Sequence, residues 1–301
     1  MGKFNGHFYP GLYLFSYGLY QATVVSKNML FKESPLYPSC LLKNKTRWAR
    51  LWKISYGGWL RIVTGSILTV YVVTCLDDGM VLMNKQVPPR FMYPKEWQHL
   101  TMFVLLTLSG CVDVMSKNLL PRRCVVLEKG TLALSFYELL LLMVSHVKGS
   151  EGIELQVHSL FTVLVFLLVL VLTAELWAPD MSHLWMIETF LFLLMGSWLM
   201  QSGFILFRPI SGYPWQDDDI SDLMFVTTFF CWHLMINASC LLGIYGFSLL
   251  WHRCYSPSLK VMRSKEAPYH TSTPGPLYMM LQEMEQSEKD DQAPLLSKCS
   301  L

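Results

Sequence analysis

Apolar residues gather into seven long runs separated by short polar stretches. The runs are Phe8 to Leu30, Ile54 to Leu76, Trp97 to Met115, Val125 to Val147, Leu155 to Trp177, Leu184 to Leu206 and Leu223 to Trp251. Each approaches or exceeds the roughly 20 residues a helix needs to cross hydrocarbon. They are rich in Leu, Val and Phe and do not alternate with period two, which favours helices over the strands of a membrane barrel. The pattern predicts an all-α, polytopic membrane protein. Residues 1–253 would form a bundle of seven transmembrane helices, and residues 254–301 a disordered cytosolic tail. The first run has no small-residue cleavage pattern before Lys27, so it reads as a retained helix and not as a secretory signal.

Composition points the same way. The chain is 52% hydrophobic and 15% charged, with a mean hydropathy of +0.34. Soluble domains carry about a quarter charged residues, so the expected partner of most of this surface is the lipid bilayer. A net charge of +2 and the absence of a phosphate-cradling glycine loop argue against nucleic acid as a partner. The 8 cysteines form no CxxC pair and fall mostly in apolar runs, so they read as small buried residues and not as a disulfide framework.

Charge asymmetry between loops sets the expected orientation. Lys32, Lys43, Lys45, Arg47, Arg50 and Lys53 separate runs one and two, Lys117, Arg122 and Arg123 follow run three, and Arg253, Lys260, Arg263 and Lys265 follow run seven. The loop after run six holds Asp217, Asp218, Asp219 and Asp222 instead. Basic loops stay cytoplasmic, so the N-terminus is expected outside and the C-terminus in the cytosol. The sequons at Asn44 and Asn237 then fall in a cytosolic loop and inside a helix, out of reach of glycosylation.

The tail carries two sorting-type patterns. Tyr278-Met279-Met280-Leu281 fits the tyrosine-based endocytic form, and Asp291 with Leu295 and Leu296 fits the acidic dileucine form. Both act as extended segments whose side chains fill adaptor pockets, which makes clathrin adaptor complexes the candidate soluble partners. The matching locations are the plasma membrane and endosomal, lysosomal or Golgi membranes.

Ionisable groups at bilayer depth are costly and mark paired structure or function. One tier, in the outer half, holds His7, His99, His146 and His158 near the outer ends of their helices, Gln201 nearer the outer face, and Glu138 and His233 ~10 residues in, ~15 Å deep at 1.5 Å per residue, where their similar depth allows a hydrogen bond between them. Imidazoles and carboxylates converging from several helices could bind a metal, relay protons or sense pH, with His99, His158 and His233 the weak metal candidates. None of the histidines has the i, i+4 spacing of a helical metal motif, so no cofactor or metal is assigned. An inner tier holds Arg61, Asp113, Glu175 and Glu188. Arg61 is expected to pair with Asp113 or Glu188, and Glu175 to reach the headgroup layer. Gly196-Ser197 and Gly203 offer a small-residue face for close helix packing.

These residues carry a resemblance. Gly6-His7-Phe8-Tyr9-Pro10-Gly11, Trp97-Gln98-His99, Glu138 with His146, His158, Gly196-Ser197-Trp198-Leu199-Met200-Gln201-Ser202-Gly203-Phe204 and Cys231-Trp232-His233 recur in that order in the transmembrane protein 45 family. The family includes the transmembrane epididymal proteins, the branch this chain is most similar to. The resemblance covers about residues 1 to 253 and implies a seven-helix membrane protein without an established enzymatic activity, some members being associated with endosomal, lysosomal or Golgi membranes. The chain departs from the family pattern where Gln98 and Lys148 replace histidines and Glu154 replaces Asp.

Two functions follow as expectations. The first is a non-enzymatic multi-pass protein of the secretory and endosomal system, acting in trafficking or partner binding. The alternative is a membrane-embedded, metal-dependent lipid hydrolase using His99, Glu138, His158 and His233. No DRY or NPxxY motif supports a receptor, and no inverted repeat supports a transporter.

Overall fold

A computed structural model of the chain describes residues 4–31, 56–74, 79–120 and 124–265, with side chains in the last segment as far as Cys254. Seven helices follow one another among the described residues: α1 Phe4–Phe31, α2 Tyr56–Thr74, α3 Pro94–Asn118, α4 Val125–His146, α5 Gly152–Trp177, α6 Ser182–Phe207 and α7 Ile220–Lys265. The described residues form no strand beyond one isolated bridge between Met83 and Phe91. Most helices start a few residues before their apolar runs, because backbone hydrogen bonding continues into polar flanks. In α3 the extension stops at Pro94, whose missing N–H costs nothing in a first turn.

α2, α3, α5, α6 and the Ile220–Cys254 part of α7 are long and apolar enough to cross a membrane. α1 and α4 fall short of that composition, α4 because it carries Glu128, Lys129 and Glu138. His7, Gln21 and Ser26 of α1 and Glu128 and His146 of α4 are buried inside the bundle, where hydropathy counts against them and packing does not. The outer surface is correspondingly greasy: Ile67 and Val70 of α2, and Ile236 and Leu242 of α7, are exposed, as suits a protein solvated by lipid tails.

The chain divides into two units, Met1–Leu250 and Trp251–Leu301. In the first, α1 packs on α6, and α2–α3, α3–α4, α4–α5 and α5–α6 pack as successive neighbours. α6 lies at the centre, with Phe192, Leu194, Met195 and Trp198 fully or almost fully buried. Trp198 donates its indole N–H to the Val157 carbonyl of α5 at 3.2 Å and meets Phe230 of α7 edge to face, centroids 5.1 Å apart. α1 runs against α6 almost backbone to backbone. A Cβ on Gly196 would stand 2.7 Å from the Phe15 Cα, and one on Gly11 would stand 2.8 Å from the Met200 nitrogen. The small-residue face expected on the sixth helix is therefore what lets α1 approach.

Of the second unit, only the helical stretch 251–265 is described, so α7 runs past the boundary that composition suggests. Tyr278, Leu281, Asp291, Leu295 and Leu296, and the basic residues between α1 and α2, lie outside the described residues.

Candidate functional site

Six helices bring polar groups to two levels of the bundle. At the level of the α1 N-terminus, His7 of α1, His99 of α3, His146 of α4 and His158 of α5 form a row. Ring centroids are 5.5 Å apart for His7–His158, 5.3 Å for His158–His146 and 5.5 Å for His146–His99. The up-and-down connectivity explains the meeting: the starts of α1, α3 and α5 and the end of α4 lie at one level.

Hydrogen bonds fix the rings. His158 Nδ1 lies 2.8 Å from the Glu154 carbonyl, and His99 Nδ1 lies 2.6 Å from the Lys95 carbonyl. A carbonyl only accepts, so each Nδ1 carries the hydrogen and the neutral ring keeps its lone pair on Nε2. His146 Nδ1 donates likewise to Gln98 Oε1 at 3.1 Å, while Gln98 Nε2 donates to Ser145 Oγ at 3.2 Å. His7 Nε2 approaches His158 Nε2 at 3.4 Å, and with that lone pair on His158 the His7 nitrogen is the donor.

All four rings line a cavity of about 140 Å³ between α1, α3, α4 and α5. Away from the imidazoles its wall is apolar, built by Leu14, Met102, Leu106, Phe136 and Met143 among others, with Tyr13 on α1. From His99 to Leu106 the wall runs about 10 Å along α3 at 1.5 Å per residue.

The remaining candidates of this tier do not join the row. Glu138 is half-buried on another face of α4, with no hydrogen bond or ion pair among the described residues. His233 packs on Trp198, centroids 5.8 Å apart, and Gln201 is half-buried on α6. None of the three lines the cavity. The set His99, Glu138, His158 and His233 required by the hydrolase reading is therefore split. Similar depth placed Glu138 and His233 together in the sequence, but α4 and α7 are not packing neighbours, and the two side chains do not pair. Among the described residues no three His, Cys, Asp or Glu side chains converge as a metal site. Lys148 is exposed and lies off the cavity wall.

The second level is ionic. Arg61 of α2 meets Asp113 of α3 at 3.3 Å. Asp113 also takes Lys117 at 2.7 Å, and Lys117 lies 3.8 Å from Glu128 of α4. Lys129 of α4 contacts Glu175 of α5 and lies 3.1 Å from Glu188 of α6. Glu175 is thus buried and paired, against the expectation that it reaches the headgroup layer. Its helix turns it inward, onto Lys129. Sequence reasoning missed Lys129, Glu128 and Gln98. The first two open α4 and resemble an ordinary charged helix end; Gln98 adjoins His99, and only its bridge to α4 gives it a role. Asn237 is a helix-buried side chain, donating to Ser197 Oγ at 2.8 Å.

An all-helical bundle with a greasy exterior, several membrane-crossing helices and a polar interior defines a polytopic integral membrane protein. Residues 125–246 match a family described as "Family of unknown function (DUF716)". The chain is 74% identical to human transmembrane epididymal protein 1 over 272 residues, covering 90% of this chain and 100% of that protein. It is 68% identical to mouse transmembrane epididymal protein 1A over 300 residues, covering 100% of this chain and 98% of that protein. Against rat transmembrane epididymal protein 1 the identity is 64% over 300 residues, with 100% of this chain and 98% of that protein covered. The chain belongs to the transmembrane epididymal protein family.

Proposed function

We propose that this is an intramembrane binding protein, holding an amphiphile whose apolar part fills the cavity and whose head meets the imidazole row. The observation that carries this reading is one cavity with two chemistries: an aliphatic and aromatic wall, and four imidazoles at one level. Pockets for small ligands combine these features, a mostly apolar lining and a few convergent polar groups. Because Nδ1 of His99 and of His146 is already donating, Nε2 is the atom each ring can offer, and in the neutral ring it accepts. The head should therefore carry a hydrogen-bond donor such as a hydroxyl.

Photo-crosslinking of the full chain in lipid nanodiscs, with a diazirine-bearing long-chain alcohol, tests this. Label is expected on cavity residues such as Phe136 and Met143, displaced by unlabelled alcohol and lost in Leu106→Trp, which fills the space. Label confined to lipid-facing residues such as Ile67, or unaffected by Leu106→Trp, would overturn the reading.

The same proposal includes seven spans with the N-terminus outside, which the basic loops support. The tail supports a second, compatible reading, delivery to endosomal membranes through clathrin adaptors. Tyr278, Leu281, Asp291, Leu295 and Leu296 supply that argument from sequence. Alanine at Tyr278, Leu295 and Leu296 together should shift the protein to the cell surface; an unchanged distribution would refute sorting by these residues.

A further inference from the structure

We infer that Glu175 and Glu188 together hold one proton, making the Lys129–Glu175–Glu188 triad a buried proton-binding site. The inference is independent of the cavity and its ligand. Side-chain exposure is 0% for Glu175, 1% for Glu188 and 13% for Lys129. Lys129 Nζ donates to Oε2 of both carboxyls, the Glu188 contact being 3.1 Å. Neither glutamate has a second ion pair among the described residues, and Arg61 lies within electrostatic reach of Glu188 without pairing with it. The neighbouring cations are engaged elsewhere: Arg61 with Asp113 at 3.3 Å, and Lys117 with Asp113 at 2.7 Å and Glu128 at 3.8 Å.

Two carboxylates and one ammonium leave one uncompensated negative charge out of water, a state proteins avoid by neutralising the group. One proton taken from solvent by one carboxylate restores neutrality, with no other bond made or broken. A second observation points to the same hydrogen. Glu175 Oε1 is completely buried and has no hydrogen-bond partner. Two ionised carboxylates can only accept, so neither can satisfy the other; a protonated carboxyl gains the missing O–H donor. The charged and titratable groups facing the triad are Arg61 of α2, Asp113 of α3 and Tyr17 of α1, which is within electrostatic reach of Glu188, Lys129, Arg61 and Asp113. Arg61 and Asp113 offset one another, and Tyr17 brings no charge as a neutral phenol. The deficit therefore stays at the triad.

Infrared spectroscopy of the full chain in an ester-free detergent at neutral pH reads this directly. A protonated-carboxyl band that shifts in D₂O is expected in the wild type. Glu175→Gln and Glu188→Gln should each abolish that same band, because the remaining carboxylate then pairs with Lys129 alone. Lys129→Met should roughly double it. Carrying out all measurements in a Glu138→Gln background removes a half-buried glutamate that has no ion-pair partner among the described residues. Loss of the band in only one glutamine variant would show that a single carboxyl is protonated without its neighbour and would overturn sharing. Absence of any such band would also overturn it, as would sodium- or potassium-dependent thermal stability lost in both glutamine variants, which would make a metal cation the occupant. Should the variants fail to fold, labelling glutamate carboxyls with carbon-13 in the Glu138→Gln protein still decides. A glutamate-derived protonated band supports the proposal, and none refutes it.

Discussion

The bundle has polar groups at two levels, and they are built on opposite principles. The histidine level joins four neutral-capable rings through backbone carbonyls and one amide, and leaves space beside them. The ionic level joins α2 to α3, and α4 to α3, α5 and α6, through full charges that fill their own space. A neutral imidazole with one hydrogen bond satisfied tolerates an empty neighbour, whereas an ammonium or carboxylate out of water needs its counter-charge in place. The histidine level can therefore accept a guest, and the ionic level ties helices together.

Breaking the ionic level should have the largest consequence. Lys129→Met removes the ammonium shared by Glu175 and Glu188 and should cost about 3–5 kcal/mol, the range for an orphaned partner of a buried ion pair. Thermal unfolding in detergent measures it, and adding Glu175→Gln and Glu188→Gln should recover much of the loss. A Lys129→Met protein as stable as the wild type would remove the contrast altogether.

Between the two levels, α1 is held to α6 at Gly11 and Gly196. Gly196→Val forces the two backbones apart and should cost about 1–3 kcal/mol, as overpacking does. Because His7 rides on α1, beside Gly203, the variant should also lose cavity crosslinking. Retained crosslinking would show that the row does not depend on this packing.

At the histidine level a smaller effect is expected. His158→Leu gives up the bond to Glu154 and the contact with His7, and should cost about 1 kcal/mol by the same melting measurement, the net worth of a typical hydrogen bond. A loss as large as that of Lys129→Met would mean the two levels are alike. Least of all should Glu138→Gln matter, within about 0.5 kcal/mol, since Glu138 has no partner among the described residues.

Much of this architecture is legible in the chain. The apolar runs mark the helices to within a few residues except at the end of α7, which continues to Lys265, because lipid solvation selects length and composition directly. The glycines of α6 announce a close contact, and the depth of each histidine follows from counting residues along its run. His7, His99, His146 and His158 sit at one level for that reason. What counting cannot supply is rotation. Nor can it supply neighbourhood: Glu138 and His233 are similarly placed along their runs, yet α4 and α7 are not packing neighbours. Glu175 sits near a helix end and turns inward, and Lys129, which looks like an ordinary helix-start lysine, becomes the counter-charge of two glutamates.

The sequence by itself therefore determined where most helical segments lie and how far along its helix each polar side chain sits, since both depend on position along a single helix and on its solvent. Only the tertiary structure decided which side chains meet. Whether an ionisable group is paired, shared or left beside a cavity depends on the turn of each helix about its axis, and that turn is fixed by contacts with its neighbours, through side chains far apart in the chain.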